Sequence, residues 1–168
     1  MDILIWVEQS AYGTWLRESP SMWAFPLPLV LHAIGMAFLV GTNAAVDFRI
    51  LGFAKSIPLR SMDRVFPLMW LGLVVNALSG TSLLIAYPVK AFTNPVFYIK
   101  LTLIALALIV LWRLRTHVRS PGANDLIPKK AKILAAVSLL LWTSAIIAGR
   151  LLAYTYTLLT SEDMMFLQ

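Results

Sequence analysis

The stretch PLPLVLHAIGMAFLVGTNAAVDFR, from Pro26 to Arg49, decides the fold. It is long and apolar enough to cross a bilayer, whose hydrocarbon core takes about 20 helical residues. Yet it carries His32, Asn43 and Asp47. Hydrocarbon offers polar groups no water, so these three need protein partners. Ionisable groups in a membrane are costly enough to count as candidate functional residues.

The rest of the chain supports a membrane reading. Of 168 residues, 60% are hydrophobic and 13% charged. Soluble domains sit near 45–50% apolar and about 25% charged, so a soluble fold of this size could not hide the apolar surface. There is no cysteine. Disulfides, thiolate metal sites, iron–sulfur clusters, cysteine nucleophiles and c-type haem attachment are thereby excluded. The net charge is +6, but the charges fall between apolar spans, where they set topology, so no nucleic-acid partner is expected. The N-terminus carries Asp2 and Glu8 in place of a basic leader region, and no signal peptide is expected.

Hydropathy predicts an all-α membrane protein: a four-transmembrane-helix antiparallel bundle with an N-terminal amphipathic interfacial helix. The spans fall at about 26–53, 65–87, 97–112 and 131–156, each near bilayer length. Span three is the shortest and least polar, and is expected to be the most lipid-exposed. The short connections 54–64, 88–96 and 113–130 favour antiparallel neighbours in a single domain, 21–168. Residues 1–20 are too polar to span. Leu4, Val7, Ala11 and Trp15 are expected on one helical face there, with Asp2, Gln9 and Arg17 on the other.

Lys and Arg residues give the orientation. Arg49, Lys55, Arg60, Arg64, Arg113, Arg115, Arg119, Lys129, Lys130 and Lys132 lie on one side, ten of the fourteen in the chain. Arg17, Lys90, Lys100 and Arg150 lie on the other. The positive-inside rule then places both termini on the periplasmic side of a bacterial inner membrane. Trp23, Tyr87, Tyr98, Tyr154 and Tyr156 form an aromatic belt on that outer side. The Lys129-Lys130-Lys132 run reads as an orientation signal, with anionic-lipid binding as its alternative.

At about 100° per residue, His32, Met36, Asn43 and Asp47 fall within roughly 60° of one another. Met69, Gly72, Asn76 and Gly80 share a face of span two, and Ser138, Ala145 and Gly149 a face of span four. Small residues let helix backbones approach and amides bond across the contact, so these three faces are expected to meet. His32 lies roughly 9 Å in from the outer end of its span by helix rise, near the level of Lys100 and Arg150. The three are expected to form an outer cluster. Asp47 and Arg49 form an inner group; being two apart they do not face each other, and each is expected to pair with a neighbouring helix or to snorkel.

His32 has four readings. It is an axial ligand of a b-type haem whose propionates Lys100 and Arg150 neutralise. It is a copper ligand with Met36. It handles a proton beside a quinone. Or it only hydrogen-bonds another helix, as Asn43, Asp47, Arg49 and Asn76 are expected to do. His117 follows span three on the inner side, roughly 20 Å or more from His32 by helix rise, so the two histidines cannot clasp one haem. A haem needs His32 alone, His32 with Met36 or Met69, or two copies of His32 across a homodimer. No glycine-rich phosphate loop, HExxH or G-x-S-x-G motif is present, and no activity is expected of the chain on its own.

Several of these residues also carry a resemblance. Pro28-x-x-x-His32-x-x-Gly35, Gly41, Asp47-Phe48-Arg49-Ile50-Leu51-Gly52, Asn94-Pro95-x-Phe97-x-x-Lys100, Ser138-Leu139-Leu140-Leu141-Trp142 and Gly149-Arg150-x-x-Ala153-Tyr154 resemble a bacterial family of four-span membrane proteins known only as a domain of unknown function. The first span and the Phe-x-x-Lys entry to span three are also similar to copper-resistance D proteins and haem-containing membrane protoporphyrinogen oxidases. Those enzymes have further intramembrane histidines, which this chain lacks. The first resemblance implies a four-span fold and a set of polar positions. The expected function is a small membrane subunit that holds a b-type haem or similar redox ligand around His32, within a homo-oligomer or larger membrane complex. A non-catalytic assembly subunit is the alternative, and transport of copper or another small solute comes third.

Overall fold

The computed structural model describes the backbone of residues 2–120 and 127–165, and side chains as far as Thr155. All secondary structure among the described residues is helical. Helices α1 (Asp2–Glu8) and α2 (Ala11–Glu18) precede the first rod, which consists of α3 (Pro26–Met36), a π-helical turn (Ala37–Gly41) and α4 (Thr42–Leu51). A 3₁₀ segment (Leu59–Val65) leads into α5 (Phe66–Ala86). Then come α6 (Pro88–Thr93), α7 (Pro95–Arg119) and α8 (Lys129–Met165). Four of these stretches are long and apolar enough to cross a membrane: Pro26–Leu51, Leu59–Ala86, Pro95–Arg119 and Lys129–Thr155.

Local sequence explains where helices start and stop. Proline opens α3, α5, α6 and α7 within the first two positions, where its missing N–H is no loss. Asn94 caps α7 by accepting from Val96 N at 2.9 Å. The α4 helix ends at Gly52, whose φ of 112° is a left-handed conformation that suits glycine. Phe53 N then bonds back to Phe48 O at 3.0 Å.

Packing follows the small residues. A Cβ on Gly35 would lie 2.8 Å from Asn76 N, and one on Gly72 would lie 2.7 Å from Leu39 N. The backbones of α3 and α5 therefore touch where no side chain intervenes, the close approach that small residues permit in membranes. Asn94 Nδ2 donates to Thr155 Oγ1 at 2.8 Å, tying the start of α7 to α8. At the opposite end Arg119 pairs with Asp63 at 2.6 Å. A core cluster including Leu39, Ile50, Phe66, Met69, Leu114 and Ala135 fills the end toward the basic connections. Outward, Leu78, Trp112 and Leu140 are each at least 65% exposed, an apolar surface that water would not support.

The structure adjusts several sequence expectations. Residues 1–20 form two short helices, because Ser10 caps α2 by accepting from Gly13 N at 3.2 Å and so breaks the run. The phase shifts at that break: Gly13 and Leu16 are buried, while Ala11 and Trp15 are exposed. Both helices lean on the rest of the chain. Tyr12 Oη donates to Ser82 Oγ at 3.0 Å, and Arg17 donates to Ala86 O at 2.9 Å. The third span is 25 residues long rather than 97–112, since Arg113 to Arg119 prolong the helix beyond its apolar part. It is nevertheless the least buried of the four within the chain. The 88–96 connection contains α6, and the side chain of Tyr156 lies outside the described residues.

The largest adjustment concerns the polar stripe of the first rod. His32 faces α5, whereas Asn43 and Asp47 face α8. The π turn between them accounts for this. An i→i+5 turn takes up one residue more than an i→i+4 turn, which rotates the downstream face by on the order of 100°.

Candidate functional site

His32 is half-buried and held by α5. Its Nδ1 lies 3.1 Å from Asn76 O and 3.3 Å from Ser79 Oγ. Asn76 Nδ2 in turn donates to His32 O at 2.8 Å. A carbonyl can only accept, so Nδ1 carries a hydrogen, and in the neutral ring Nε2 then keeps its lone pair. Ser79 fits this assignment: its hydroxyl donates to Val75 O at 2.6 Å, leaving its oxygen to accept from the ring. Nε2 has no hydrogen-bond partner among the described residues. An imidazole fixed through one nitrogen with the other available is the arrangement in which histidine ligates metals.

The ring borders an open-sided cavity of about 310 Å³, at the lower end of the range for small-molecule sites. Apolar and aromatic side chains, among them Phe25, Leu29, Leu83, Tyr87 and Phe97, form most of its wall. Two lysines line it, Lys90 from α6, whose Nζ lies 5.9 Å from the centroid of the Tyr87 ring, and Lys100 from α7. Gly80 makes room for His32, because a Cβ there would lie 3.1 Å from His32 Cε1; a Cβ on Gly149 would be in ordinary contact with Lys100, 3.6 Å from Nζ. Lys100 is half-buried and makes no hydrogen bond or ion pair among the described residues.

Not every expected member is here. His32 and Lys100 come together, but Arg150 is exposed and does not line the cavity. Met36 borders a second, smaller cavity of about 30 Å³, shared with Asn76 and Lys100. Met69 is 1% exposed inside the core cluster. Neither methionine therefore stands opposite His32. No group of three or more His, Cys, Asp or Glu side chains is placed to hold a metal ion among the described residues. Lys90, Ser79 and Tyr87 were not singled out as site residues by sequence. Pro88 was the available signal for Lys90, because a proline suits the first position of a helix and so marks a new helix, α6, directly after the end of α5.

A second polar cluster lies in the half toward the basic connections. Asn43 Nδ2 donates to Asp47 Oδ2 at 2.7 Å and to Ser138 Oγ at 2.9 Å. Asp47 thus meets α8 through Asn43 and Ser138, the neighbouring-helix outcome. Arg49 neither pairs with another helix nor snorkels. Its guanidinium donates to Ile57 O at 2.5 Å and Lys55 O at 3.3 Å, bracing the loop that follows its own helix. His117, on α7 beside Arg119 and Arg115, stands apart from both clusters.

Fold and site together describe a chain that is all-helical among the described residues, with four membrane-crossing candidates and a largely apolar cavity among them that His32 and Lys100 line. No protein-family model matches the chain, and neither does any curated protein or solved structure.

Proposed function

We propose that this chain is a small integral membrane subunit that holds a b-type haem, or a similar planar redox ligand with an anionic edge, in the cavity beside His32. One observation carries the reading: the Nδ1 contact to Asn76 O leaves Nε2 as an unengaged lone pair at an apolar cavity. His32 would hold the iron, and Lys90 and Lys100 would meet the anionic groups, a role expected of Lys100 and Arg150 from sequence. Such a ligand supplies one-electron redox chemistry; the chain supplies the fixed imidazole, the two cations and the apolar walls. With Met36 and Met69 placed elsewhere, a sixth ligand would come from a second copy or a partner subunit.

The surrounding architecture in this reading is an antiparallel bundle. The order of contacts supports it. Phe25 meets Tyr87, His32 meets Gly80, Gly35 meets Asn76 and Leu39 meets Gly72, so numbers fall along α5 as they rise along α3. Asn94 with Thr155 and Lys100 with Gly149 give the same sense for α7 and α8. The α1–α2 pair would lie at the outer interface of a bacterial inner membrane, with both termini periplasmic and the basic connections cytoplasmic.

Absorption spectroscopy of the purified protein tests the ligand. A reduced-minus-oxidised Soret and α-band difference is expected, and it should disappear in His32→Ala. A folded, colourless protein after haem supplementation would sink the proposal. It would favour the second reading, an assembly subunit, which the two-way bonding of His32 and Asn76 supports as a lock between α3 and α5.

A further inference from the structure

The inner cluster has no part in the reading above, and its hydrogen bonding is incomplete. Asp47 is 0% exposed and Asn43 1% exposed. Both hydrogens of Asn43 Nδ2 have acceptors, Asp47 Oδ2 and Ser138 Oγ. Asn43 Oδ1 and Asp47 Oδ1 remain, both buried and without a hydrogen-bond partner; the Ser138 hydroxyl, which accepts from Asn43, also faces the Asp47 carboxyl. Orphaned buried acceptors of this kind are rare in native structures.

No cation is placed to offset a charge on Asp47. Arg49 is engaged with loop carbonyls. Asp63 takes Arg119, the one ion pair among the described residues. Arg115 lies over the Phe66 ring, at 5.3 Å from its centroid. Arg60 and Arg64 of the 3₁₀ segment are exposed, as are Arg113 of α7 and Lys129, Lys130 and Lys132 of α8. His117 is half-buried at the far end of α7, and α5 has no ionisable residue. A carboxylate buried without a counter-charge is strongly disfavoured.

We propose that Asp47 is held as a carboxylic acid and that Asn43 and Asp47 form a cyclic acid–amide pair, a binding site for one exchangeable proton inside the inner half of the bundle. A hydrogen on Asp47 Oδ1 turns that oxygen into a donor. The orphaned acceptor one helical turn away is Asn43 Oδ1, on the same face at i and i+4. One hydrogen then satisfies both orphaned atoms, and the existing amide-to-carboxyl bond closes the ring. A metal ion is less well served: hard cations take about six to eight oxygens, and only four side-chain oxygens are gathered here, Asn43 Oδ1, both of Asp47 and Ser138 Oγ. Asn43 also bridges to Ser138, so the proton is bound together with the α4–α8 contact. Parting those helices would bring the carboxyl to water and release the proton.

Infrared spectroscopy of protein labelled with carboxyl-¹³C aspartate, in lipid at neutral pH, tests this. The expected result is a protonated-carboxyl C=O band that carries the ¹³C shift, moves again in D₂O and is lost in Asp47→Asn. That variant should keep its melting temperature, because a carboxamide is neutral and can donate to Asn43 Oδ1 in the same way. Asn43→Leu is the second variant: it should keep the band but shift its frequency, as the ring partner is gone. The proposal fails if labelled aspartates show only carboxylate bands. It also fails if sodium chloride abolishes the protonated band, or if Asn43→Leu leaves its frequency unchanged.

Discussion

The two halves of the first rod carry similar polar side chains in different surroundings. In the half that opens with α3, His32 borders a cavity of about 310 Å³. In the α4 half, Asn43 and Asp47 sit in packed core with Val46 and Ile50 on the same helix. Polar atoms beside space can meet a ligand. Polar atoms inside a packed core can meet only each other, a neighbouring helix or a proton. A membrane helix can thus hold a ligand site and a locking site on one rod, and the space around each residue, more than its identity, separates the two.

The comparison can be broken most directly where both halves depend on close helix contact. Gly72→Ala would place a methyl 2.7 Å from Leu39 N and 2.8 Å from Gly35 O. Backbone cannot step aside cheaply, so a loss of about 1–3 kcal/mol is expected, read as a lower unfolding midpoint in detergent. An unchanged midpoint would mean that α3 and α5 do not touch as described. Next comes Asn43→Ala, which removes the donor to Asp47 and Ser138. Leaving buried partners unsatisfied costs about 1–3 kcal/mol, toward the lower end here if Ser138 turns to Asp47. The Soret signal of the proposed ligand should survive, because the surroundings of His32 are untouched. Smallest in stability is the pair Lys100→Met and Arg150→Ala. Neither should move the midpoint by more than about 0.5 kcal/mol. Ligand titration should still tell them apart, with Lys100→Met weakening the binding of an anionic ligand and Arg150→Ala leaving it alone. Equal effects would return Arg150 to the site.

Much of this was legible from residues alone. Apolar runs bounded by prolines marked the four spans, because bilayer thickness fixes the length of such runs. The facing of His32 by Asn76 and Gly80 followed from helical spacing and small residues. The misread helix faces share one cause. Reading faces at a constant 100° per residue assumes an unbroken α-helix, and the chain departs from it at Ser10 and at Ala37–Gly41. Ser10 is a recognisable N-cap. The π turn has no such mark: a Cβ on Gly41 would meet nothing within 4 Å, so no crowding at that glycine explains it. Arg150 was misjudged for a related reason, since depth along a helix is readable from sequence, but direction depends on which neighbour the helix packs against.

The π turn also has a consequence for how this chain tolerates changes in length. Deleting any one residue from Ala37 to Gly41 would allow an ordinary α-helix through the segment. Asn43 and Asp47 would then swing back beneath His32 and away from Ser138. One inserted residue lets a single rod address α5 with its upper half and α8 with its lower half, much as offset throws on a crankshaft serve different cylinders. At this point in the membrane, the number of residues matters more than which residues they are.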